Sequence, residues 1–294
     1  MAADLPPAFE AYAGETVPQA PPGAPGKDGR LELAFGRREG DTRLVREFAR
    51  APFHVSGALA SDPLEEAATV YVQSPTGGVA QGDRRAVDIA VGPDAVAHVS
   101  TASATKVFSM DSNYARTDVS LSVASGGHLD FVPGATILHA DARFCQSLTL
   151  GVAADASAVL GDVVVPGRLA RGEVFEFERY ASRVEVRGPD GLLAVDAVHL
   201  RPDERPPQVP GAFGDGTVLG TLLVVAPAAD AERLSDALHD RLGATAGATA
   251  LPNGAGVLVR ALGDTAADVR EGLRAAWDVA RRDLIEAPVP PGRK

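Results

Sequence analysis

Ala86-Val-Asp-Ile-Ala-Val-Gly-Pro-Asp-Ala-Val-Ala-His-Val-Ser-Thr101 holds two short alternating segments, Ala86 to Val91 and Ala97 to Thr101, joined by Gly92-Pro93-Asp94. Side chains two residues apart share one face of a strand, so this alternation predicts two β-strands, and the Gly-Pro-Asp step ends the first of them. The same pattern recurs on both sides, at Thr69 to Gln73, Asp118 to Val123, Glu173 to Glu178 and Arg183 to Arg187. Between the runs stand further turn signals: Ser125-Gly126-Gly127, Pro133-Gly134, Pro166-Gly167 and Gly188-Pro189-Asp190-Gly191. No long helical stripe interrupts them, so residues 30–200 are expected to form a β-rich body. A sandwich, a barrel and a stacked β-helical body all fit, and no fixed repeat period stands out to choose among them.

The flanks read differently. Residues 1–29 carry six prolines, at 6, 7, 18, 21, 22 and 25, with few large apolar side chains, and are expected to be a disordered, mobile arm. A second proline-rich stretch, residues 201–212, connects the body to residues 213–287, where the order is strand, helix, strand, helix. Thr217 to Val225 and Gly256 to Leu262 are the strands, and Asp230 to Leu242 is the first helix. The second follows a capping signal at Thr265 and Asp268 and presents Val269, Leu273, Ala276, Trp277, Ala280 and Leu284 as one apolar stripe. Pro288 stops it, leaving a tail over residues 288–294.

Of 294 residues, 45% are hydrophobic, enough for a sizeable core, and a net charge of −11 argues against a surface that tracks nucleic-acid phosphates. Only three lysines stand among the 28 basic residues, a bias that fits either a GC-rich genome or adaptation to concentrated salt, which screens carboxylate repulsion. One cysteine, Cys145, excludes an internal disulfide framework and paired-cysteine metal sites, and favours a cytoplasmic setting. The longest apolar runs are too short to span a membrane, and the N-terminus lacks a secretory layout.

The catalytic inventory is thin. The sequence holds no phosphate-binding loop, zinc-type histidine pair or nucleophile elbow, so no enzyme activity is expected. His128, His139 and Cys145 lie within one stretch and offer ligand types that suit nickel, copper or zinc, but their spacing demands no site, so no permanent metal centre is expected. Ser74-Pro-Thr-Gly-Gly-Val-Ala-Gln-Gly-Asp83, followed by Arg84 and Arg85, is the most distinctive stretch. Read from its residues alone it is a tight turn between strands. Ser103 to Lys106 and Pro166 to Glu173 read as polar loops.

Taken in order, several segments resemble the urease accessory protein family UreD, also called UreH. They are Gly29 to Leu33, Ser74 to Asp83, Ala104-Thr-Lys-Val-Phe108, His128 to Pro133, Gly167-Arg-Leu-Ala-Arg-Gly-Glu173, Gly220 to Leu223 and Leu273 to Arg282. The resemblance runs from about Gly29 to Glu286. It implies a mainly β fold, an elongated β-helix-like or stacked-sheet body with two C-terminal helices. It also implies a non-catalytic scaffold for urease maturation that binds urease apoprotein and the accessory protein UreF, through which the GTPase UreG is recruited, with neither nucleic acid nor membrane as partner. Nickel(II) would pass through an internal tunnel in transit and not as a resident cofactor. A tunnel for such an ion needs weak, spaced donors, since a tight site would trap it.

Carried over residue by residue, Asp83, Thr105, Lys106, Asp162 and Glu173 are the expected tunnel lining, and Gly77, Gly78, Gly82, Gly167 and Arg168 the family's turn residues. Asp83 and Glu173 could equally pair with Arg84 or Arg168 to fix loops. Where the family usually shows two glycines before the aspartate, this chain has Gln81-Gly82. Two other readings compete: a metal-dependent hydrolase or isomerase using Asp83, Asp162 and Glu173 with a histidine on a β scaffold, and a purely structural interaction module.

Overall fold

The computed structural model describes residues 6–15 and 24–291. The rest of the expected N-terminal arm, and residues 292–294 of the tail, lie outside the described residues. Within that arm a short turn, Pro7–Phe9, leads into α1 (Glu10–Ala13), and Phe9 is fully buried beside Tyr114, Cys145 and Ala181. Phe9, with Tyr12 under the Arg143 guanidinium and bonded to Glu178, seats a segment whose composition otherwise reads as solvated.

Two hairpins open the body: β1 (Asp28–Arg38) with β2 (Asp41–Arg50), and β3 (His54–Leu59) with β4 (Ala68–Gln73). The chain then coils through β5 (Arg84–Val91), β6 (Val96–Thr101), β7 (Thr105–Val107), β8 (Ala115–Val123), β9 (His128–Phe131) and β10 (Thr136–Leu138). It continues through β11 (Arg143–Val152), β12 (Ser157–Val165) and β13 (Arg179–Gly188), and β14 (Gly191–Leu200) closes a hairpin on β13. Apart from short β7 and β10, the strands from β5 to β13 alternate between two sheets, and up to β11 each pairs in parallel with its counterpart one coil later. Ala68 meets Ala97 and Val96 meets His128 in one sheet, while Arg84 meets Arg116 in the other. A coil therefore takes roughly 30 residues, a solenoid-like arrangement whose period the sequence hides by varying loop length.

The first sheet runs β14-β13-β11-β8-β5-β1-β2. The second runs β16-β17-β15-β12-β9-β6-β4-β3 and takes in β15 (Val218–Val225), β16 (Ala246–Ala250) and β17 (Gly256–Gly263). Short β7 and β10 pair with each other beside the second sheet, which β10 joins through β12. Residues 213–287 thus extend the second sheet, through β15 on β12. Their order gains one strand over the expected strand, helix, strand, helix, because β16, a weakly apolar Ala246-Gly-Ala-Thr-Ala250, follows α2 (Ala231–His239).

Strand parity decides the core. Inward residues of both sheets, including Leu31, Leu33, Phe35, Val87, Ile89, Val91, Val99, Leu121, Ala158 and Leu160, pack together between the layers. The opposite parity of β12, Val159, Val163 and Val165, faces the helices, with Leu222, Val257 and Val259 from its neighbours. Onto that outer face α3 (Ala266–Ile285) lays Val269, Leu273, Ala276, Trp277 and Ala280, the stripe its 3.6-residue period predicts. Thr265 Oγ1 accepts from the Asp268 amide at 3.2 Å and so caps its start, and Glu286 ends it in a left-handed conformation, φ 56°.

One strand expectation is corrected. Glu173 to Glu178 alternates in sequence yet forms an irregular loop, because Phe175 turns left-handed (φ 55°) and the Glu173 side chain folds back onto the chain. Phe177 still buries completely and Phe175 partly, so the alternation reports ring burial and not a ladder.

Candidate functional site

Between the sheets lies a cavity of about 150 Å³. On the first sheet its wall contains a row of polar side chains set by register: Arg85 on β5 pairs with Thr117 on β8, Thr117 with Gln146 on β11, and Gln146 with Ser182 on β13. Each has the parity of the apolar residues that follow it, as Arg85 has that of Val87, Ile89 and Val91. The row therefore runs along the axis of the coil. Facing it, the second sheet aligns Asp162 on β12, Thr221 on β15 and Arg260 on β17.

The two rows meet at Asp162. Gln146 Nε2 donates to Asp162 Oδ2 at 3.1 Å and also lies 3.0 Å from Tyr180 Oη and Ser182 Oγ, while Tyr180 donates to Asp162 Oδ2 at 3.3 Å. Among the described residues no full cation pairs directly with the carboxylate. Burial pushes its pKa up to about 6, only partly opposed by the Tyr180 hydrogen bond and the more distant Arg260. Arg260 itself is committed to Asp196 at 2.5 Å and to Thr221 Oγ1 at 2.6 Å. Asp162 is thus a carboxylate held by neutral donors and poised near neutrality, able to exchange a proton or a weakly bound cation.

Beside Asp162 the second sheet opens. The β12–β9 ladder runs from Ser157↔His128 to Leu160↔Phe131, and the β12–β10 ladder resumes at Val164↔Thr136. Between them Val132 to Ala135, with Pro133 unable to donate, leaves the strand line opposite Gly161 to Val163. An outer cleft of about 510 Å³ under α3 shares Ser100, Thr101, Pro133, Gly134, Gly161 and Asp162 with the inner cavity. The two spaces adjoin there, at the break in the ladder.

The sequence candidates divide. Thr105, at the start of β7, and Asp162 line the inner cavity. Lys106 points to solvent. Asp83 is fully buried in the turn before β5, where Oδ1 accepts from the Lys27 amide and Oδ2 from the Ala80 amide, both at 2.9 Å, with Lys27 Nζ at 3.0 Å. Its partner is Lys27, not the expected Arg84, which reaches Asn113 and the Tyr114 carbonyl instead. Glu173 accepts from the Ala140 and Arg168 amides at 3.1 and 3.2 Å and pairs with the Arg168 guanidinium, as the loop-fixing reading expects. Asp83, Asp162 and Glu173 do not share one pocket, and among the described residues no three His, Cys, Asp or Glu side chains stand where they could hold a metal ion.

The turn glycines serve geometry. Gly82 takes φ 74°, and a Cβ at Gly78 would sit 2.4 Å from the Lys106 carbonyl, so the Ser74–Asp83 turn needs both to lie against β7. Gly77 and Gly167 also have positive φ. Gln81 does not, so glycine is not required there, and its side chain instead accepts from the Asp111 amide at 3.1 Å.

His128, His139 and Cys145 do not converge. His139 packs edge-on against Phe108 with centroids 5.5 Å apart, and Cys145 lies in the pocket of Phe9, its thiol pushed up to about 11 by burial. His128 belongs to a cluster that sequence reading missed. There Asp130 accepts from Trp277 Nε1 at 2.6 Å and pairs with Arg281, which also reaches Asp62 at 2.7 Å, all with side chains sealed from solvent. These contacts bolt α3 to β9 across more than 140 residues of sequence.

The UreD urease accessory protein family matches residues 27–294. A urease accessory protein UreD of Haloarcula marismortui is 61% identical over the whole of both chains. The Natronomonas pharaonis protein of the same name is 44% identical, with 99% of each chain covered. A urease accessory protein UreD 2 of Streptomyces griseus is 36% identical over 93% of this chain and 96% of its own.

Proposed function

The chain belongs to the UreD family of urease accessory proteins, and from that premise we propose that it is a cytoplasmic maturation scaffold whose inner cavity carries nickel(II) towards the urease metallocentre. Urease apoprotein is the recipient, UreF the accessory protein that docks beside this chain, and UreG, recruited through UreF, the source of the ion. The observation that carries the route is the junction of inner cavity and outer cleft at Asp162, where the β12 ladder is interrupted.

The chemistry of the lining suits an ion in motion. Asp162, Thr105, Thr221, Ser182 and Gln146 are hard oxygen and amide groups lining the cavity, several of them gathered around Asp162, and they offer a divalent ion weak contacts in place of a trap. With a pKa of about 6 Asp162 is largely ionised at neutral pH and presents a carboxylate to the cation, and protons compete for it only as the pH falls towards 6.

The test is activation of urease apoprotein by nickel in a reconstituted mixture with UreF and UreG. Activation should require this chain, and Thr105→Phe, which fills part of the cavity, should lower it at least ten-fold in complexes that still assemble. Unchanged activation without the chain would remove the maturation role, and full activation by Thr105→Phe would remove the route while leaving the scaffold.

A further inference from the structure

The Arg85 end of the inner cavity has a different character from the Asp162 end. Arg85 stands over the Phe53 ring, guanidinium carbon 4.6 Å from the centroid, and its Nε is buried without a hydrogen-bond partner. Its register neighbour Thr117 also lines the cavity, and the Thr117 Oγ1 is likewise buried and unpartnered. Paired strands stand about 4.8 Å apart, so the two residues sit side by side on one wall. The acid acting most on Arg85 is Asp83, which Lys27 already holds at 3.0 Å.

Arg85 is half-buried with its Nε enclosed, and a cation so placed without its own carboxylate is costly, as are two buried donor atoms with nothing to bind. We infer that the Arg85–Thr117 end of the inner cavity binds one small planar oxyanion of carboxylate or carbonate size. Arg85 supplies charge and N–H groups in a fixed plane that suits two oxygens of such an anion, and the Thr117 hydroxyl donates a further hydrogen bond. Burial lowers the guanidinium only to about 10, so Arg85 stays charged at neutral pH.

The consequence for transit rests on the route proposed above. A bare divalent cation and Arg85 repel each other strongly inside a cavity of low polarity. With an anion at Arg85 that repulsion is cancelled, and the cation meets a wall that is neutral at one end and acidic at the other.

The site is tested without metal or partner proteins. The full-length chain is titrated with ¹³C-labelled formate at an ionic strength held by sodium gluconate, and bound formate is read from its line width. Wild type should show one saturable site, weakened at least ten-fold in Arg85→Met and about three-fold in Thr117→Val. Arg85→Lys, which keeps the charge but loses the planar fork, should fall between them, and it replaces Arg85→Met should that variant fail to fold. Absence of a saturable site in wild type, or affinity unchanged in the Arg85 variants, overturns the assignment. Because no nickel is present, this outcome is independent of urease activation, and either result can fail without the other.

Discussion

Asp130 and Asp162 lie on neighbouring strands of one sheet, β9 and β12, the first fully buried and the second half-buried on the cavity wall, and they titrate in opposite directions. Asp130 faces outward to α3. Burial raises its pKa, but His128, 3.3 Å away, and then Arg281 more than reverse this and hold it at about 2. Asp162 faces inward to the cavity, where neutral donors leave burial dominant and the group rises to about 6. One parity of strand yields a lock and the other an open carboxylate, and the more deeply buried of the two is the one held low, because a cation lies within its reach.

The largest effect should come from breaking the lock. Arg281→Met leaves Asp130 and Asp62 buried without their cation and should cost about 3–5 kcal/mol in urea denaturation. Asp130→Asn in that background should recover part of the loss. A cost below about 1 kcal/mol would show that α3 is held by its apolar stripe alone.

Asp83 resembles Asp130 more than Asp162. Asp83→Ala removes the acceptor of two backbone amides and the partner of buried Lys27, and should cost about 2–4 kcal/mol by the same measurement.

Asp162→Asn should have the opposite sign. The folded value of about 6 lies above the unfolded value near 3.9, so this group favours folding most below about pH 4, and the benefit falls away as pH rises to 6. Asn at this position should therefore be about 1–3 kcal/mol more stable than Asp at pH 7.5 and should flatten the stability profile between pH 4 and 6. Asp130 works the other way. Its stabilisation is complete above about pH 4 and is lost as pH falls towards 2. Thermal melts across pH 3 to 8 separate the two.

Glu173→Gln should give the smallest change, about 1 kcal/mol. Arg168 is 40% exposed and its ion pair is screened, while the amide oxygen can still accept from Ala140 and Arg168.

How far the sequence reached depends on the range of each interaction. The strands over Thr69 to Gln73 and Ala86 to Val91 were legible because alternation is local, and so was the α3 stripe. Glu173 to Glu178 misled because two phenylalanines alternate as readily in a folded-back loop as in a strand. Asp130 and Arg281 carry no local signature, since their partnership joins positions 151 residues apart. The polar row of the cavity was within reach and missed: Arg85, Thr117, Gln146 and Ser182 each continue the inward parity of an apolar run, an anomaly that marks an inner polar wall. Asp162 and Thr105 came from family resemblance, whereas Asp83 and Glu173, equally prominent there, fix turns.

The most direct measurement compares Asp162→Asn with Asp83→Ala in nickel-dependent activation of urease apoprotein, normalised to folded variant assembled with UreF and UreG. The expected result is at least a ten-fold loss for Asp162→Asn, although it is the more stable protein, and wild-type activation per folded molecule for Asp83→Ala. Wild-type activation by Asp162→Asn would contradict the cavity as the nickel route.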